Sequence, residues 1–219
     1  MRQYCINQIF RRPGVGRDPV ASKRFKLCCA FIVATFIVIS LPCTANLQTK
    51  LNSFHSLTAN FTQTIILNGN PHITTGKLWL QKPNQFRWQQ EKPSKHLYVS
   101  NGKTIWDYST NLMQVIVRPM TKQLEQTPLF LLSGKNIDLA KLFTMTNLGP
   151  DTYQLIPTQK GGLLRKITLT FIGKRPGTML FTNAAGQVST VVFAHVRLNQ
   201  ILSKSLFKFV APQGVDIVQ

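Results

Sequence analysis

Side chains able to do chemistry are few in this 219-residue chain, and they stand far apart. The four histidines, His55, His72, His96 and His195, have no second histidine or acid at the spacings that ligate a metal or build a proton relay. There is no Gly-x-Ser-x-Gly elbow, no glycine-rich phosphate loop and no His-Glu-x-x-His helix. Acids are scattered too thinly for paired carboxylate work, and Asp107 alone sits mid-strand beside aromatics, between Trp106 and Tyr108. All four cysteines (Cys5, Cys28, Cys29, Cys43) lie before residue 44, so the rest of the chain can hold neither a disulfide nor a thiolate metal site. The pattern predicts no enzyme, no metal and no cofactor.

Charge bounds the partners. With 26 basic residues against 7 acidic ones the net charge is +19, which calls for an anionic partner or surface. The lysines and arginines are dispersed, with no run of five or six that would mark a nucleic-acid tail. Nor do basic and aromatic residues cluster as a single-strand binder requires. Nucleic acid is therefore not an expected partner.

The first 45 residues read as an export signal. Seven basic residues precede Leu27 against one acid, Asp18, and an uncharged run from Leu27 to Leu41 follows. Pro42 breaks it, and Cys43-Thr44-Ala45 supplies small residues at a cleavage site. The run is short of the roughly 20 apolar residues that span a bilayer. The expectation is a signal peptide over 1–45, cleaved after Ala45, and one domain over 46–219. Leu41 and Pro42 fit poorly before a lipidated cysteine, so the product is expected to be soluble, without a lipid anchor.

The elements that must position any site are mostly strands. Gly76-Lys77-Leu78-Trp79-Leu80-Gln81-Lys82-Pro83-Asn84-Gln85-Phe86-Arg87-Trp88 alternates with period two through a strand, a Pro-Asn turn and a second strand. So many large apolar groups on one hairpin need a cover. Further alternating or apolar runs span Leu57–Leu67, His96–Ser100, Thr104–Tyr108, Met113–Val117, Thr152–Ile156, Arg165–Ile172, Val188–Arg197 and Leu206–Val210. Residues 173–187 read as a hairpin with loops. Asn101-Gly102 is a two-residue hairpin signal. The spacing predicts an antiparallel meander curled into a barrel or part of one. Helices are expected at Leu47–Phe54, at Thr127–Gly134 and around Ile137–Phe143. In the second, Leu129-Phe130-Leu131-Leu132 leaves no polar face, so it must be covered on both sides or face a cavity.

Five stretches in register carry a resemblance: Ser56–Gln63, the Gly76–Trp88 hairpin, Val99–Tyr108, the Thr127-Pro128 helix and Phe207–Asp216. Together they resemble the LolA family of periplasmic outer-membrane lipoprotein carriers. The resemblance implies an incomplete antiparallel β-barrel, a half-barrel closed by a short helical lid around an apolar cavity for acyl chains. It implies a monomer in the periplasm that takes lipoproteins from an ATP-driven inner-membrane release complex and passes them to an outer-membrane receptor. Leu51, Leu78, Leu80, Phe86, Trp88, Leu129, Phe130 and Leu132 would line the cavity or lid. Lys82 stands where the family often has an arginine that ties the lid shut, and would bond carbonyls near Thr127–Ser133. Two alternatives share the architecture: the outer-membrane receptor of the same pathway, and an exported module that senses lipid or lipoprotein without shuttling it.

Overall fold

The computed structural model describes residues 43–120, 128–159 and 161–218. The export segment up to Pro42 and the expected helix cap Thr127 lie outside the described residues. Twelve strands form one sheet: β1 (Ser56–Leu67), β2 (Asn70–Gln81), β3 (Gln85–Lys92), β4 (His96–Asn101), β5 (Thr104–Ser109), β6 (Gln114–Pro119), β7 (Phe143–Gly149), β8 (Thr152–Pro157), β9 (Leu164–Ile172), β10 (Arg175–Asn183), β11 (Val188–Leu198) and β12 (Asp216–Val218). Their order is β12-β6-β5-β4-β3-β2-β1-β11-β10-β9-β8-β7, antiparallel throughout except for β12, which lies parallel to β6. So many twisted strands must curl. The outer strands β12 and β7 do not meet, so the sheet is an open, curved half-barrel.

Helix α1 (Cys43–Asn52), lid helix α2 (Pro128–Ser133) and α3 (Leu139–Leu142) cover one face. Leu47 and Leu51 from α1, Leu131 and Leu132 from α2, and Leu139 from α3 join the strand residues Leu57, Phe61, Leu78, Leu80, Leu155 and Ile167 in one core. Two lysines fasten α1. Lys50 Nζ pairs with Asp151 Oδ1 at 2.9 Å and donates to the Gly173 carbonyl at 2.8 Å, joining α1 to two hairpin turns. Lys82 Nζ donates to the Leu51 carbonyl and lies 4.2 Å from the Phe54 ring centroid.

The opposite face of β4–β6 carries Val99, Tyr108 and Val115, all buried. Their cover is the C-terminal segment. Phe207, at the end of a 3-10 turn over Lys204–Phe207, is 2 % exposed, and Phe209 stacks on Trp106 and tilts against Tyr108. A strand was expected over Leu206–Val210. The segment instead crosses the sheet, because Ser203 caps the turn through Ser205 N. Two further expectations change. Residues 175–183 form a full strand, and the helix expected up to Phe143 stops at Leu142, since Phe143 is extended and opens β7.

Candidate functional site

Register across β2–β6 sets the composition of the concave wall. One row runs Leu80, Phe86, Ser100, Ile105, Arg118, and the next runs Leu78, Trp88, Tyr98, Asp107, Ile116. A third, towards the β3–β4 and β5–β6 turns, runs Gly76, Gln90, His96, Ser109, Gln114. On β3 and β4 the rows pass from Phe86 through Trp88 and Tyr98 to Gln90 and His96, while Asp107 on β5 and Arg118 on β6 bring charges into the first two rows. Glycine at 76 is required: a Cβ there would overlap the Gln89 carbonyl oxygen and stand 2.8 Å from the Phe61 ring. That clearance lets Phe61 lie flat on Trp88, with centroids 3.7 Å apart and planes 24° apart.

Between this wall and α2 is a cavity of about 330 Å³. Phe86, Trp88 and Tyr98 form one side, Met179, Phe181 and Val191 the other, and Pro128, Leu129 and Phe130 the roof. Its volume lies at the low end for ligand pockets, and like them it is mostly apolar with a few polar groups, here Gln63, Asp107 and Arg118. Of the eight residues expected in the cavity or lid, Leu129, Phe130 and Leu132 belong to the lid helix α2, and Phe86, Trp88, Leu129 and Phe130 stand at the cavity surface. Leu51, Leu78, Leu80 and Leu132 do not line it. Each is at most 2 % exposed, Leu51 from α1 and Leu132 from α2 packing with Leu78 and Leu80 of β2, so their contribution is to the core.

Lys82 also differs from expectation. Its ammonium reaches α1 at Leu51, not α2. Loss of water around it lowers its pKa to about 8. The lid is joined to the Pro-Asn turn through backbone, by Asn84 N–H donating to the Ser133 carbonyl at 2.9 Å.

Sequence spacing missed the polar cluster. His96 and Asp107 are eleven residues apart, yet the β4–β5 hairpin brings His96 Nε2 to 2.6 Å from Asp107 Oδ1. Tyr98, opposite Asp107, has its phenol pKa raised, first by burial and then by the Asp107 charge, with Arg118 opposing. The signal that could have found the hairpin is the Asn101-Gly102 turn, although the two loop residues are Gly102 and Lys103, one position later than that pair suggests. Among the described residues no three His, Cys, Asp or Glu side chains gather to hold a metal ion. No described helix is long and apolar enough to cross a membrane.

An open curved sheet roofed by a short apolar helix defines a half-barrel protein with a sheltered apolar cavity. Residues 52–210 match the family described as outer membrane lipoprotein carrier protein LolA. An outer-membrane lipoprotein carrier protein of Alcanivorax borkumensis is 35 % identical over 182 residues, covering 80 % of this chain and 87 % of that protein. That of Azotobacter vinelandii is 33 % identical over 174 residues, covering 77 % and 84 %. A crystal structure of an uncharacterized conserved protein from Thermus thermophilus aligns with a TM-score of 0.48 at 13 % identity, covering 80 % of this chain and 97 % of that one. The chain belongs to the LolA family.

Proposed function

We propose that this protein is a periplasmic carrier that shelters the acyl chains of lipoproteins between two membranes. The observation that carries the reading is the apolar cavity under α2, walled by Phe86 and Trp88 and roofed by Leu129 and Phe130. Each buried CH₂ of an acyl chain is worth about 0.8 kcal/mol, so a lipoprotein with several chains does not leave a membrane for water unaided. A cavity of about 330 Å³ is small for several chains, so loading moves the lid and enlarges it. The described residues show no nucleotide-binding loop, which fits extraction by a separate ATP-driven inner-membrane complex and delivery to an outer-membrane receptor. The role is binding and release, not catalysis.

Export fits the same reading. Cleavage after Ala45 would leave Leu47 and Leu51, the residues by which α1 enters the core. N-terminal sequencing of exported protein is expected to find Asn46 first and no attached lipid, and a diacylated Cys43 at the start would overturn the soluble-carrier reading.

The cavity is tested with an environment-sensitive apolar dye bound to residues 46–219 and displaced by a synthetic lipopeptide. Mass spectrometry of protein recovered from the periplasm then identifies what travels with it. Absence of dye binding, or recovery without any lipoprotein, refutes the carrier.

A further inference from the structure

Acyl chains offer nothing to a carboxylate, yet one stands in the cavity wall. The alternation that turns Trp88 and Tyr98 towards the cavity turns Asp107 the same way. Its side chain is 23 % exposed. His96 Nε2 takes one oxygen at 2.6 Å, and the other accepts no hydrogen bond from a described residue. Hydrocarbon laid over this oxygen would displace its water and return no hydrogen bond, a cost that an N–H donor on the ligand avoids. The Tyr98 phenol directly opposite has its pKa raised, first by burial and then by the Asp107 charge, with Arg118 opposing.

The position of the carboxylate also orders the cavity. Towards α2 lie Phe86, Leu129 and Phe130, with Arg118 at the β6 end of the Phe86 row; beyond the cavity lining, towards the β3–β4 turn, the strands carry Gln90, His96 and Ser109. An amphiphile fits this gradient with its chains under the lid and its polar junction beside Asp107. In a lipoprotein anchor the chains converge on an acylated cysteine, whose α-nitrogen carries N–H donors. They belong to an ammonium where the nitrogen is free and to an amide where it is acylated. We propose that Asp107, aimed by His96, is the anchor-binding residue that accepts a hydrogen bond from the α-nitrogen of the lipid-modified cysteine. The proposal rests on the carrier reading and deepens it, by fixing the direction in which cargo lies.

The test uses residues 46–219 and two synthetic lipopeptides of one sequence, both S-diacylglyceryl, one with a free α-amine and one N-acylated. Displacement of the apolar dye reports affinity. Asp107→Asn keeps the shape and removes the charge. It is expected to weaken the free-amine lipopeptide roughly ten- to hundredfold, the worth of a charged hydrogen bond, and the N-acylated one by less than about tenfold. Dye affinity is measured directly for each variant, so that displacement is read against that variant's own dye binding. His96→Gln should produce a smaller loss in the same order.

A comparison on the unmutated protein requires no variant to fold: trimethylating the α-nitrogen keeps the charge and removes every N–H, and is expected to weaken binding. Equal affinities for Asp107→Asn and wild type towards both lipopeptides, or no effect of trimethylation, overturn the assignment while leaving the carrier standing. If neither lipopeptide displaces the dye from wild type, the carrier reading itself fails and the assignment with it.

Discussion

Replacing Lys82 by methionine isolates what a half-buried ammonium does to this fold. In the folded protein burial lowers the Lys82 pKa from 10.5 to about 8, so the native state holds its proton less tightly than the unfolded chain. Between those two values the unfolded chain binds more protons, and stability therefore rises with pH. The destabilisation is complete below about 8 and is relieved as pH climbs towards 10.5. The whole interval corresponds to about 3 kcal/mol at roughly 1.4 kcal/mol per unit. Solvent around the partly exposed ammonium reduces this to about 1.5 kcal/mol, of which about 1 kcal/mol should be visible by pH ~9.5. At neutral pH Lys82→Met also removes the charged hydrogen bond to the Leu51 carbonyl, worth about 1.5–3 kcal/mol, so the two effects offset each other. Urea unfolding of both proteins at neutral pH and at pH ~9.5 reads the difference. Wild type should gain about 1 kcal/mol relative to the variant over that range. Parallel pH profiles, or a wild type that loses stability relative to the variant, would refute burial as the cause.

Three other substitutions probe separate parts of the molecule. Phe86→Glu puts a charge on the cavity wall and should abolish dye and lipopeptide binding, with a circular dichroism melt showing the fold retained; global unfolding would mean Phe86 is core. Gly76→Ala forces a Cβ against the Gln89 carbonyl and the Phe61 ring and should destabilise by at least about 2 kcal/mol, with loss of the near-ultraviolet signal of the Phe61–Trp88 stack. Phe207→Ala opens the outer face over Val99 and should cost about 3 kcal/mol in urea unfolding while sparing dye binding, since the cavity lies on the other face.

Strand residues were legible because period two is local. Leu78, Leu80, Phe86 and Trp88 share a face by alternation alone, and the sheet agrees. The division of labour within that face was not legible. Leu78 and Leu80 are sealed by α1 and α2, whereas Phe86 and Trp88 are left for the cavity, and this depends on where helices distant in sequence land. The same limit explains Lys82: the turn that presents it was plain, but its partner is thirty-one residues earlier on a helix whose docking no local pattern encodes. Strand β10 escaped detection because Pro176 and Gly177 read as turn residues. Both are buried, and Pro176 sits at a register irregularity where the lost N–H is tolerated.

The two ends of the lid meet different surroundings, and its sequence explains both. Leu131, Leu132 and Ser133 are fully buried, and the Ser133 carbonyl is held by Asn84 N–H, so the C-terminal half of α2 belongs to the core. Pro128 and Leu129 are only half-buried and touch the cavity, with Phe130 between the two regimes at 9 % exposure. Proline at 128 has no N–H to give, which suits the first position of a helix, where that N–H has no intrahelical acceptor. Motion that admits acyl chains should therefore lift the Pro128 end and pivot near Ser133. That movement widens the cavity over Phe86 and Trp88 without exposing Leu78 or Leu80. A fully apolar helix too short to show a polar face is thus accounted for twice over: half of its residues are held by protein, and the other half face the space that a ligand fills.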